Sequence, residues 1–208
     1  MMRYDIVRRR RGAGIAAVEL ALILPLLLLL LVGVVDLARA IQANMIMINL
    51  SREGANLAAR GTLDLKDHSQ AVIGSVAASA PPLDMNRRGM IYITRIIGVA
   101  SGETTRSVVL EQYRWDDSAH NQSFRASRYA PDSRIWNCSS WNSADGSCKV
   151  PTGNDAPSVA LMSGTLADGE VIYAVESFYD FNMLFSGFKI GKLSLPTIGP
   201  NLYSMTVF

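Results

Sequence analysis

Residues 15–35 read IAAVELALILPLLLLLLVGVV, and the architecture turns on this block: 21 residues with a single charge, Glu19. As an α-helix rising about 1.5 Å per residue it spans roughly 31 Å, the thickness of a bilayer's hydrocarbon core. It is long enough to cross a membrane once. The next most apolar stretches, 90–100 and 170–178, are shorter and rich in β-branched or aromatic residues, a composition that suits strands. On the N-terminal flank Arg8, Arg9, Arg10 and Arg11 form a basic run, whereas Asp36 and Arg39 on the other flank can pair at i,i+3 and cancel. This asymmetry predicts a cytoplasmic N-terminus and places the remaining ~170 residues outside the cytoplasm.

The whole-chain averages conceal this division. The 208 residues carry 20 Lys+Arg against 18 Asp+Glu and are 49% apolar, too apolar for a disordered chain. Five of the basic residues, however, lie in the first eleven positions. A cleaved secretory signal is one alternative, because Ala38-Arg39-Ala40 satisfies A-x-A. Against it, a signal's apolar core runs only about 7–15 residues, and here Asp36 lies between core and site. An uncleaved membrane anchor remains open.

Glu19 demands compensation, since a carboxylate at the centre of a membrane helix costs about 2.5–3.5 kcal/mol and less near an interface. A cut between Gly14 and Ile15 would make Glu19 the fifth residue of the new chain. It would then stand about 6 Å along the helix from a new positive amine, within the first turns where the dipole favours an anion. Another copy's amine is the better partner, because helices packed with a one-step stagger set one amine against the next carboxylate. The overlapping Gly12-Ala13-Gly14-Ile15-Ala16-Ala17 fits G-x-G-x-x-G/A. A nucleotide loop follows a strand, however, and this one follows four arginines and opens onto an apolar span.

The pattern RRRRGAG/IAAVE resembles the type IV prepilin processing motif, with Gly14 before the cut, Ile15 after it and Glu19 in the acidic place. The wider segment GIAAVELALILPLLLLLLVGVVDLARA, with Arg52-Glu53-Gly54-Ala55 downstream, resembles the TadE-like family, minor pseudopilins of the tight-adherence (Tad, Flp) pilus system. The likeness covers about residues 12–60. It implies cleavage after Gly14 by a prepilin peptidase, and as partners other pilin and pseudopilin subunits, the inner-membrane assembly platform and the lipid bilayer. Major pilins usually begin with Phe, so Ile15 departs from the family pattern.

Pro25 cannot donate to the carbonyl of Ala21 and should kink or loosen the helix, and Gly33 offers close helix approach. Leu37, Ile41, Met45 and Ile48 keep a helical spacing, so the helix is expected to run to about Arg60 before Gly61 stops it. This outer half is too apolar to stand in water and must pack against the domain or against partners. Lys66 to Ala80 reads as a second helix with Val72, Ile73, Val76 and Ala77 on one face, ended by Pro81-Pro82. Met90–Val99 and Ser107–Trp115 read as a β-hairpin across a turn at 100–106. Glu170–Asp180 follows as a third strand, with Val171, Tyr173, Val175 and Ser177 on one face and Ile172, Ala174, Glu176 and Phe178 on the other; Leu202–Phe208 is a short terminal candidate. The fold class expected is α+β: a long N-terminal transmembrane helix continuing into a pilin-like extracytoplasmic domain whose antiparallel sheet of three or four strands packs on the helix's outer half. The divisions are 1–14 leader, 15–35 span, 36–60 helical continuation and 61–208 domain.

Within the domain, residues 116–169 form a Ser-, Asn-, Asp-, Gly- and Pro-rich insertion, longer than loops in compact domains usually run. It holds both cysteines, Cys138 and Cys148, expected to form a disulfide outside the cytoplasm. A metal site competes poorly, because the spacing is not C-x2-C and neither His68 nor His120 is near. Arg114, Arg125, Arg128 and Arg134 interleave with Tyr113, Trp115, Phe124, Tyr129, Trp136 and Trp141. Such a mixture can form a nucleic-acid or glycan surface, but Asp116, Asp117 and Asp132 offset much of its charge. A stapled loop or subunit-contact surface is expected there, with no nucleic acid. There is no G-x-S-x-G, H-E-x-x-H or P-loop, so neither catalysis nor a cofactor is expected.

Overall fold

The computed structural model describes residues 4–60, 65–116, 129–184, 189–190, 193–194 and 201–208. The chain divides into two compact units, Met1–Ile41 with Asn182–Ile198, and Gln42–Phe181 with Gly199–Phe208. Helix α1 runs from Tyr4 to Ala59, with Pro25 inside it. The α+β class holds: α1 is followed by α2 (Leu65–Ala78), the single turn α3 (Met85–Arg88) and an antiparallel sheet. The sheet's strands are β1 (Gly89–Ser101), β2 (Thr104–Arg114), β3 (Ser158–Val159), β4 (Val171–Asp180) and β7 (Asn201–Val207), in the order β3-β2-β1-β4-β7. A separate two-stranded ladder joins β5 (Lys189–Ile190) to β6 (Leu193–Ser194). Gly61, expected to stop the helix, lies outside the described residues, and α1 ends two positions before it.

The hairpin is tighter than the sequence suggested: its strands extend to Ser101 and from Thr104, leaving Gly102 and Glu103 between them, with Gly102 at φ +67°. The positive φ is why a glycine stands in the turn. The fifth strand is the short β3, contributed by the insertion and paired on β2 at Ser107↔Val159 and Val108↔Ser158.

One face of the sheet packs on the outer half of α1. Ser177 Oγ donates to the Met47 carbonyl at 3.3 Å, and Ser51 Oγ lies 2.8 Å from Ser204 Oγ and 3.1 Å from Thr206 Oγ1. The alternation read along β4 therefore holds, with Val175 and Ser177 on the helix side. The buried stripe of α1, however, is Ala43, Met47, Leu50, Ser51, Ala55 and Ala58. Of the four positions picked out by helical spacing, Leu37, Ile41 and Met45 are exposed at 61%, 52% and 61%, and Ile48 is partly buried. Both sets repeat at three and four residues, so periodicity alone could not choose between them. The buried set combines the large Met47 and Leu50 with small residues from Ser51 to Ala58, where the helix and sheet approach closely.

That fit is tightest at Gly54. A Cβ built there would lie 3.0 Å from Val175 Cγ1 and 3.7 Å from Val76 Cγ1, so α1, α2 and β4 converge on this glycine. Gly54→Leu should push these elements apart, lowering stability by about 1–3 kcal/mol in urea unfolding. An unchanged midpoint would show that the contact is not close-packed. The buried face of α2 is Leu65, Ser69, Val72, Ile73, Val76 and Ala77, which contains all four positions expected.

The opposite face of the sheet is covered by the insertion. Ile96, Val109, Val159, Leu166, Ile172 and Ala174 form a buried cluster there, with Ile135, Trp136 and Val150 packed against it. The long insertion is thus a second layer of the domain.

Candidate assembly helix and the capped carboxylate of the sheet

The apolar segment of α1 makes little use of its own chain. In Gly14–Ala59 the most apolar 18-residue window has a mean hydropathy of 2.9 and is 0% buried. The helix is long and apolar enough to cross a membrane. Its exposed leucines, isoleucines and valines run from Ile15 to Val35, far beyond the scattered apolar residues that a surface in water tolerates. Gly14, Ile15 and Glu19 all lie on this exposed stretch of helix, and among the described residues no side chain pairs with Glu19. A Cβ added at Gly14 or at Gly33 would meet nothing within 4 Å, unlike one at Gly54. Any requirement for a small residue at 14 or 33 must therefore come from outside this chain. Pro25 is accommodated within the helix.

Where the apolar block ends, Asp36 is buried. Arg39 Nη1 donates to its Oδ1 at 3.1 Å, the i,i+3 pair expected, and the backbone N–H of Leu184 donates to the same oxygen at 3.0 Å.

The domain has its own polar centre, which the alternation along β4 marked only as a residue facing away from the helix. Glu176 is fully buried. Its Oε1 accepts from the Arg134 N–H at 2.9 Å and from Tyr203 Oη at 3.0 Å, and its Oε2 accepts from Ser133 Oγ. Ser133 Oγ also accepts from Gln112 Nε2 at 3.1 Å. Arg134 places its guanidinium 3.9 Å over the Tyr203 ring, a cation–π contact. Burial and the neighbouring Glu176 carboxylate raise the Tyr203 phenol above its ordinary pKa of 10.0, against a lowering pull from Arg134. One carboxylate thereby ties β4, β7 and the insertion together.

Cys138 and Cys148 are bonded, as expected. The loop they close is pinned at both edges: Trp141 bridges Cys148, Ser147 bridges Tyr113, and Gln70 of α2 donates to the carbonyls of Arg114 and Asp145 at 2.9 and 2.8 Å. Gly146, at φ +69°, lets the turn approach Arg114 and Gln70 more closely than a Cβ would permit. Removing the crosslink with Cys138→Ser and Cys148→Ser should cost about 2.5–3 kcal/mol in the chain-entropy model. Urea unfolding of the oxidised wild type against the double variant measures this, and equal midpoints would leave the crosslink without a stabilising role.

Among the described residues, the interleaved basic and aromatic side chains are mostly engaged internally. Arg114 pairs with Asp116 at 2.6 Å and stacks 5.0 Å from the Trp141 ring, while Trp115 and Tyr113 are buried. Arg125, Arg128, Phe124, Asp117 and His120 lie outside the described residues.

The fold and the helix together define a class: an α+β domain continuous with one helix of membrane length. A family model described as TadE-like protein matches residues 14–56, the same segment on which the sequence resemblance rests. The match begins at the glycine before the expected cut and stops before α2. No curated protein and no solved structure matches the chain.

Proposed function

We propose that this protein is a minor pseudopilin, a structural subunit of a Tad-type pilus with no catalytic role. It is inserted through α1 with the N-terminus cytoplasmic, trimmed after Gly14 by a prepilin peptidase and assembled through the exposed helix. The carrying observation is Glu19, a lone carboxylate on an uncovered apolar helix, five positions past Gly14 and inside the TadE-like match. Cleavage would free the Ile15 amine, and a neighbouring subunit's amine would neutralise Glu19 and set the stagger between helices. The exposed stripe at Leu37, Ile41 and Met45 extends the contact surface beyond the span. Loss of residues 1–14 removes five arginines and Asp5, leaving 15 basic against 17 acidic residues, so the mature chain would carry −2 instead of the precursor's +2.

One observation favours a second reading, an uncleaved single-pass anchor that displays the domain as a binding module. The Gly14–Ile15 bond lies within α1, and a peptidase must unwind a helix to reach an extended backbone. Gly12 and Gly14 lower that cost, each being about 0.8–1 kcal/mol poorer in a helix than alanine. N-terminal sequencing and intact mass of protein from native membranes decide between them. A chain beginning at Ile15 supports the pseudopilin, retention of the arginines supports the anchor, and a start at Ile41 identifies a cleaved secretory signal.

A further inference from the structure

The two edges of the five-stranded sheet differ. One is closed by β3, only two residues long and set against β2. The other is β7, which pairs with β4 alone, over seven consecutive residues without a register break. Tyr173 and Phe208 exchange both backbone bonds, at 2.7 and 2.9 Å, so by the antiparallel alternation Thr206, Ser204 and Leu202 also turn their N–H and C=O toward β4. Tyr203, Met205 and Val207 turn theirs away from the sheet, and among the described residues nothing bonds to those backbone groups. Native sheets guard such an edge with charge, proline or a bulge. The sequence of β7, Asn-Leu-Tyr-Ser-Met-Thr-Val, has none of these, and Met205 is 37% exposed.

The space beside this edge is flanked by an uncovered side of α1. Going round the helix from the α2 side, Gly54 faces Val76 and Val175, and Ser51 then meets Ser204 and Thr206 of β7. In the same sense the next positions are Ile48, Arg52 and Met45, about 60°, 100° and 120° past Ser51. Met45 and Arg52 are exposed, Ile48 is partly buried, and among the described residues no carboxylate pairs with Arg52. A strand added to β7 would cover Ile48 and Met45, with Arg52 at its margin.

The direction of α1 decides which strand fits. Met47 meets Ser177 and Gly54 meets Val175, so this part of α1 runs antiparallel to β4 and parallel to β7. Antiparallel pairing of β7 with the β7 of a second copy needs a dyad normal to the sheet, which reverses every direction in its plane, the helix included. The two chains would then enter their domains from opposite ends, whereas copies rooted in one membrane enter from the same end. A dyad along the strands preserves the direction but sets the outward residues of both copies at equal heights, where a parallel ladder requires them one residue apart. The two-residue β3 edge is too short to serve instead.

We propose that β7 is the docking edge for an antiparallel strand of a different membrane-rooted subunit, a strand uncharged along the ladder, apolar toward Ile48 and Met45 and carrying a carboxylate against Arg52. Its backbone bonds would fix a neighbour's register at the domain, as the Glu19 pair does between helices. The inference deepens the reading of the chain as an assembly subunit and rests on α1 as its membrane root.

The photo-crosslinking residue benzoylphenylalanine is placed at Met205 or at Val207 of the full chain in the native host, and adducts are mapped by peptide mass spectrometry. Both positions should capture one segment of another subunit, and the residue captured from 207 should precede that captured from 205 by about two, the antiparallel sense. Met205→Pro removes an outward N–H that the domain does not use, so the urea midpoint should hold while the 207 adduct falls about tenfold. Met205→Leu should keep the adduct. If the proline unsettles the domain, Met205→Lys, a charge of the kind that blunts natural edges, must bring the same loss. Adducts within the chain would mean that the edge is already covered, and adducts between copies that a second copy is the partner. Either result overturns the inference, as do adducts that run in the parallel sense, that scatter or that are missing. Intact mass separates this from processing: the expected adduct on a chain that retains residues 1–14 overturns cleavage after Gly14 alone, and a chain beginning at Ile15 without the adduct overturns the strand contact alone.

Discussion

Replacing Glu176 with Leu is expected to lower the stability of the domain by about 3–5 kcal/mol, the size of loss that breaking a buried hydrogen-bond network brings. The substitution strands the Arg134 N–H, Tyr203 Oη and Ser133 Oγ, which now donate to the carboxylate. A buried donor left unsatisfied costs about 1–3 kcal/mol; Ser133 Oγ is buried, while the Arg134 N–H and Tyr203 Oη are partly so and lose less. The loss is largest because one residue serves three segments, β4, β7 and the insertion. Glu176→Gln retains the oxygen that accepts from Arg134 and Tyr203 and gives up the other, so its cost should be nearer 1 kcal/mol. Urea unfolding of the full chain in detergent, followed by the fluorescence of the fully buried Trp115, measures both. A Leu variant within about 1 kcal/mol of wild type would mean that water reaches the site and that the carboxylate does not hold the cover in place.

Glu19→Val has the opposite character: almost nothing should change in the isolated protein and nearly everything in the assembly. Glu19 is exposed and touches no described partner within the chain, so folding of the domain is unaffected. Insertion should improve, because a charge costing up to about 2.5–3.5 kcal/mol in a membrane helix is removed. Cleavage after Gly14 should persist, since the glycine and its basic leader are intact. Incorporation into pili should fall by roughly a hundredfold to a few thousandfold, because breaking a desolvated ion pair leaves the neighbour's amine uncompensated at about 3–5 kcal/mol. The comparison is the ratio of variant to wild-type protein in sheared pili, normalised to processed protein in the membrane. Normal incorporation would remove the proposed role of Glu19.

These two carboxylates differ in how much of their surroundings is written along the chain. Glu19 was conspicuous because its environment is written locally: twenty other residues of the same block carry no charge. Glu176 occupies an ordinary polar place in an alternating strand, and nothing within ten residues reveals that Ser133 and Arg134, more than forty positions earlier, will cover it. The same limit explains the helix stripe. Leu37, Ile41 and Met45 are exposed, and the sheet packs instead on Met47, Leu50 and the small residues from Ser51 to Ala58, where the helix and sheet approach closely.

The sequence by itself determined the membrane-length helix, its charge asymmetry, the carboxylate within it, the second helix, the main hairpin and the cysteine pair. These depend on length, period and neighbours along the chain. Only the tertiary structure decided which face of α1 is buried, that the polar insertion forms a second layer over the sheet, and that the Leu184 N–H closes on Asp36. Each of these results from contacts between residues far apart in the chain, where shape and hydrogen-bond satisfaction select among patterns that look equivalent in one dimension.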